Sequence, residues 1–182
     1  MNVLTLIVGL LCYVTMGAVL RTHFSSAIVP REVRLTIVVS YLGIMAFVYL
    51  MLRDRHALTP LAAALTIFVV SLALFLWAVR TTRSQRLKLA FDPEQAGFLT
   101  RAGPYKFIRH PFYASYILFW LACTVAALHP LILIFLVAFS AANLTAAYRE
   151  EEAFEKSPFG AEYRSYRKTA GLLWPRLRVG SD

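Results

Sequence analysis

Five long apolar runs dominate the chain: Val3 to Leu20, Leu35 to Leu52, Leu58 to Val79, Phe112 to Leu128 and Leu131 to Ala147. None of them contains an Asp, Glu, Lys or Arg. Each has roughly the 17 to 25 residues that a helix needs to cross a bilayer. In hydrocarbon the backbone must satisfy its own hydrogen bonds, so runs of this kind are dictated to be helical. The chain is therefore expected to be all-α, a polytopic membrane helical bundle of about five transmembrane helices. Its composition agrees, because 59% hydrophobic and 16% charged residues exceed and undercut the shares usual in a soluble domain. Only His129-Pro130 separates the last two runs. Proline bars a continuous helix there, so a tight helical hairpin is expected, with a bent pair of shorter segments as the alternative.

The flanking charges give an orientation. No Lys or Arg precedes Arg21, whereas a cleaved signal peptide carries its positive charge ahead of the apolar run; the first run is expected to remain as a helix. With five alternating spans, Arg21, Arg31 and Arg34 share one side with the 80–110 segment and the C-terminal tail, and only Arg53 and Arg55 fall on the other. The positive-inside rule then puts the N-terminus outside and an amphipathic C-terminal tail in the cytoplasm, as a multi-pass protein of a bacterial inner membrane. The net charge of +9 is accordingly a topology signal. Juxtamembrane Lys and Arg beside anionic lipid account for it without a nucleic-acid partner. Cys12 and Cys123 lie inside apolar runs, form no C-x-x-C pair and read as packing residues; no Cys/His spacing suggests a metal.

Polar chemistry is concentrated in two regions. In the first, Arg83, Arg86 and Lys88 continue a polar helix end, Asp92-Pro93-Glu94 and Gly97 signal a turn, Phe98-Leu99-Thr100 reads as a short extended piece, and Gly103-Pro104 makes a second turn. Pro111 then suits the first turn of a new helix, which begins beside Arg109 and His110. The free N–H groups and positive dipole end of that helix make an anion-binding corner. The second region is Tyr148-Arg149-Glu150-Glu151-Glu152, continued by a tail bearing Phe154, Phe159, Tyr163 and Tyr166. A tight hairpin returns this region to the side where the fourth helix began, so Arg109-His110 and Arg149 to Glu152 can meet. Together they offer a cation for a carboxylate, acids for hydroxyls or an ammonium, and the faces of Tyr105 and Tyr113 for a sulfonium. S-adenosylmethionine meets these needs, though not uniquely.

The ordered series Gly103-Pro104-Tyr105-Lys106-Phe107-Ile108-Arg109-His110-Pro111-Phe112-Tyr113, then Glu151-Glu152, then Phe159-Gly160-Ala161-Glu162-Tyr163-Arg164-Ser165-Tyr166, resembles the isoprenylcysteine carboxyl methyltransferase and phospholipid methyltransferase superfamily. The resemblance covers about 98–175. It implies a single membrane domain over 1–182, with N-terminal spans and linker in 1–97 and a catalytic core in 98–175. It also implies that S-adenosylmethionine is enclosed near the cytoplasmic surface and that a lipophilic small-molecule acceptor reaches it from the lipid bilayer. By position, Leu99 and Thr100 match the strip lining the cofactor, Tyr105 matches the tyrosine of its G-x-Y, and Arg109, His110, Pro111, Phe112 and Tyr113 match its R-H-P-x-Y segment. Glu151 matches a cofactor-contacting acid, with Glu152 as the second candidate, and Arg149 resembles the arginine facing the acceptor. Ser115 departs from the glycine often found after R-H-P-x-Y-x, and serine is small enough to keep a close backbone approach.

Plainer readings stand beside these. Tyr163 and Tyr166 read as an aromatic belt at headgroup level and are left out of the site. Of Glu150 to Glu152, a helix can turn at most two into one pocket, and Glu151 then Glu152 are favoured. His23, His56 and His129 share no spacing and receive no role. The alternative to an enzyme is a non-enzymatic membrane protein, a haem-binding or transporter-accessory subunit. Haem would call for histidines at mid-span and a transporter for ionisable groups near the midplane; the histidines lie near span ends and the spans carry no charge. The resemblance implies methyl transfer by alignment of acceptor, methyl and sulfur. A base is needed only for a protonated acceptor, with Glu151 or Glu152 as candidates.

Overall fold

A computed structural model describes residues 1–23, 30–83 and 99–176 of the 182-residue chain. The expected polar helix end at Arg86 and Lys88, the turn at Asp92-Pro93-Glu94 and Gly97, and Phe98 lie outside the described residues. All five apolar runs are helices: α1 (Asn2–His23), α2 (Arg31–Arg53), α3 (Leu58–Thr82), α4 (Pro111–Ala127) and α5 (Pro130–Lys156). A 3-10 turn, Gly103–Lys106, precedes α4, and a polar helix, α6 (Gly160–Thr169), follows α5. The protein is thus an all-α polytopic membrane bundle. Among the described residues four helices, α1, α2, α3 and α5, are long and apolar enough to cross a membrane, while α4 has only 17 residues.

The surface explains why the chain belongs in lipid. Phe47, Phe68, Phe75, Phe119 and Trp120 fill the bundle interior, and Trp120 stacks on Phe139 at 4.7 Å between ring centres. Leu11, Leu42, Met45, Val69 and Ile134 nevertheless remain more than half exposed. Contiguous apolar surface of this kind is costly in water and costs nothing against acyl chains. With no hydrophobic force between helices in lipid, small residues and hydrogen bonds take over the association. Ser71 on α3 donates to the Ser115 carbonyl on α4 at 2.8 Å, and the Ser115 hydroxyl turns back to the Phe112 carbonyl at 2.6 Å. Serine at position 115 therefore keeps the close approach, with its own hydroxyl satisfied inside α4, while the interhelical hydrogen bond is made by Ser71 to the backbone. Cys12 and Cys123 are buried thiols of the core.

The hairpin forms as expected. Leu128 closes α4 in the left-handed conformation at φ 46°, Pro130 starts α5, and His129 caps it by accepting the Leu131 N–H on Nδ1 at 3.2 Å. This gives His129 a local structural task. The start of α4 and the end of α5 consequently lie at the same end of the bundle. There the chain enters through Gly103, whose φ is +54° and where an added Cβ would stand 2.1 Å from Thr81 Oγ1 at the end of α3. Only glycine fits that corner.

Candidate functional site

Pro111 is the first residue of α4 and His110 its N-cap, which leaves the Arg109 and His110 side chains standing at the helix start. The last turns of α5 run beside them. Arg109 Nε donates to Glu151 Oε1 at 2.7 Å, and His110 Nε2 lies 3.4 Å from the same oxygen. His110 Nδ1 is 3.3 Å from Glu150 Oε2, and the Tyr113 hydroxyl donates to Glu150 Oε1. Arg109 and Glu151 side chains are only 10% and 6% exposed. Two cations and two carboxylates are thus sealed together, and the His110 ring lies parallel to that of Tyr113 with centres 5.5 Å apart.

Charge balance follows from this geometry. Burial works against a charged imidazole, but the hydrogen bonds and negative charges of Glu150 and Glu151 outweigh it and hold the His110 pKa above its ordinary value. Tyr105 sits in the turn before α4, where burial first, and then the Glu150 charge, push its phenol well above the usual range. Tyr105 and, for the same reason of burial, Tyr163 are neutral phenols, and Tyr113 presents its ring to His110. They offer ring faces and single hydroxyls.

The C-terminal segment closes the site from the other side. The N–H groups of Arg109 and His110 donate to the carbonyls of Gly171 and Leu172 at 2.8 and 3.1 Å, and the Gly171 N–H returns to the Phe107 carbonyl at 3.0 Å. Ile108 and Gly171 form an isolated parallel bridge. Position 171 tolerates no side chain, since a Cβ would lie 1.9 Å from the Trp174 carbonyl oxygen. Arg109 Nη1 adds a bond of 2.5 Å to the Ala170 carbonyl. One guanidinium therefore joins three pieces of chain: the start of α4, the end of α5 and the segment after α6. The backbone groups at the start of α4 that an anion was expected to use are partly engaged by this strap.

The residues singled out in the sequence fall into groups. Arg109, His110, Tyr113 and Glu151 meet directly, and Tyr105 lies close enough to feel the Glu150 charge. Pro111 and Phe112 are buried in the first turn of α4, Leu99 packs on Tyr163, Tyr166 and Ala170, and Thr100 is half-buried beside it. Arg149 is exposed on the same end of α5. Glu152 is exposed and joined to Lys156 at 2.5 Å.

The second carboxylate in the cluster is Glu150 and not the expected Glu152. The α5 face turned inward runs through Asn143, Ala147 and Glu151 at four-residue steps, and Glu152 is turned about 100° from Glu151 around the helix. Nor do Tyr163 and Tyr166 form an aromatic belt: they are 2% and 5% exposed, and the Tyr166 hydroxyl donates to the Tyr105 carbonyl at 2.5 Å. Their three-residue spacing on the amphipathic α6 was the available signal, because it marks one buried face.

A family model described as the isoprenylcysteine carboxyl methyltransferase family matches residues 62–156, just over half of the chain. The match runs from within α3 through α4 to the end of α5. No curated protein matches the chain.

Proposed function

Because the chain belongs to the isoprenylcysteine carboxyl methyltransferase family, we propose that it transfers the methyl group of S-adenosylmethionine to a lipophilic acceptor at the cytoplasmic face of a membrane. Candidate acceptors are a prenylcysteine-type carboxylate and a phospholipid or isoprenoid lipid. The observation that carries this reading is the buried cluster of Arg109, His110, Glu150 and Glu151 at one end of a bundle whose flanks are apolar. The donor set suits the cofactor's parts. Arg109 and His110 match a carboxylate, Glu150 and Glu151 match an ammonium or ribose hydroxyls, and the Tyr105 and Tyr113 rings match a sulfonium. When bound, the cofactor supplies a methyl group on sulfur that is already a good leaving group.

The chain's own residues then have three tasks. Tyr105 and the segment Arg109 to Tyr113 orient the donor, and the strap over Arg109 and His110 keeps competing water out. Arg149, exposed at the end of α5, clamps an acidic headgroup or terminal carboxylate whose tail stays in the bilayer. A carboxylate acceptor needs no base, and for an amine or thiol Glu150 or Glu151 takes the proton. Incubating purified protein with labelled S-adenosylmethionine, a total lipid extract and a prenylcysteine tests the reading. Label is expected in an extractable lipid or ester, and no incorporation together with no binding of S-adenosylhomocysteine overturns it.

Two predictions accompany this reading. Arg149→Lys is expected to lower turnover at least about tenfold, the value of a charged bidentate contact, while calorimetry with S-adenosylhomocysteine shows little change. A parallel fall in both would assign Arg149 to the cofactor instead. For orientation, cysteine introduced at exposed Ser165 on α6 is expected to be protected from an impermeant thiol reagent in intact cells, and one at exposed Ala57 to be labelled. The reverse pattern would put the cluster outside, away from the cytoplasmic cofactor supply.

A further inference from the structure

Among the described residues Tyr163 is the largest fully buried side chain, 2% exposed. Its ring is well held, stacked on Phe154 with centres 5.1 Å apart and edge-on to Tyr166 at 6.1 Å. Its hydroxyl is sealed from solvent but has no hydrogen-bond partner among the described residues. The hydroxyl stands beside Glu151 and Arg109, near enough for weak hydrogen bonding as well as charge to reach it from both, yet it makes no bond of ordinary length and angle to either. Those groups make their short bonds elsewhere. Glu151 Oε1 takes Arg109 and His110, Oε2 faces Arg167 Nε at 3.6 Å, and Arg109 divides its donors between Glu151 and Ala170. A buried polar group left unpaired is costly, and each one in a folded protein asks for a reason. Phenylalanine would preserve every ring contact at this position without that cost. The neighbouring Tyr166 differs, because its hydroxyl is used up on the Tyr105 carbonyl.

We propose that Tyr163 is a cofactor-binding residue: its hydroxyl donates to an oxygen of S-adenosylmethionine, a carboxylate or ribose hydroxyl, seated against Arg109 and Glu151. This rests on the methyltransferase reading. It extends the site to α6, which lies beyond the 62–156 family match, and it gives the tail helix a task besides covering the bundle end. The unpaired hydroxyl lowers the stability of the free protein and raises its affinity for the cofactor, a trade common at binding sites.

Tyr163→Phe separates this from a structural role, because the two predict opposite signs. Thermal unfolding without ligand is expected to occur at the wild-type temperature or above it. The dissociation constant for S-adenosylhomocysteine is expected to rise about tenfold, the worth of one well-placed hydrogen bond to a charged group, and the acceptor KM to stay constant. Tyr166→Phe serves as the contrast and is expected to lower the unfolding temperature.

A Tyr163→Phe protein that unfolds early, as Tyr166→Phe does, overturns the assignment, whatever its affinity. So does unchanged cofactor affinity, with or without a rise in acceptor KM. Wild-type protein that fails to bind S-adenosylhomocysteine overturns the methyltransferase reading itself, whereas binding that wild type and variant share equally overturns the Tyr163 assignment alone.

Discussion

Glu151→Ala is expected to abolish methyl transfer and to destabilise the protein by about 3 to 5 kcal/mol, the usual result of removing one partner from a buried ion pair. The size follows from what the carboxylate holds. Glu151 Oε1 receives Arg109 and lies beside His110, and the Arg109 side chain is only 10% exposed, so its charge would be left without compensation and nearly without water. Denaturant unfolding in detergent measures the loss, and S-adenosylhomocysteine calorimetry on the folded fraction shows whether binding falls with it. A variant as stable as wild type would mean that water or Glu150 replaces the carboxylate.

The same substitution changes the pH response, and the sign can be worked out. His110 has a pKa raised in the folded state above the ordinary value of about 6.5, so folding favours its protonated form. That contribution is fully present below the unfolded value and is lost as pH rises through the folded one. Wild-type stability should therefore decline as pH rises from the unfolded value of His110 through its raised folded value. Without Glu151, one of the two acids that raise the His110 pKa, the interval narrows and the decline becomes smaller.

Much of the fold was legible because membrane helices obey a local rule. The apolar runs predict α1 to α4 and the start of α5 within a few residues of their observed ends, and Pro111 and Pro130 mark the starts of α4 and α5 correctly. The end of α5 was harder to read. Polar Tyr148 to Glu152 suggested a helix running out, yet α5 continues to Lys156 because its inward face keeps its four-residue step into the ion cluster. Which carboxylate joins Glu151 depends on a rotation of a few tens of degrees about that helix, and three adjacent glutamates do not encode it. The burial of Tyr163 and Tyr166 depends on where α6 folds back, a long-range contact fixed by the strap from Ala170 to Leu172. That strap works largely through backbone groups, joined by the Arg109 guanidinium. In the sequence Gly171 marks it, through the space it leaves for the Trp174 carbonyl.

Arg109→Lys keeps the positive charge and is expected nevertheless to cost about 2 kcal/mol in stability, because a compact ammonium cannot reproduce the fork of a guanidinium. Arg109 reaches Glu151 with Nε and the Ala170 carbonyl with Nη1, in directions fixed by one rigid plane. A lysine satisfies the carboxylate and releases the strap, or the reverse. The carboxylate should win, since a charge-assisted bond is about twice as strong as one to a neutral carbonyl. The loss then falls on the segment after α6, where the Gly171 N–H bonded to Phe107 holds the strap to the chain before α4. Hydrogen exchange provides the measurement. Protection at Gly171 should drop sharply in Arg109→Lys while amides in the middle of α3 and α4 keep theirs, and cofactor affinity should fall because the cover over His110 has loosened. Equal protection at Gly171 in the two proteins would show that the backbone bridge alone holds the strap and that the guanidinium serves only Glu151.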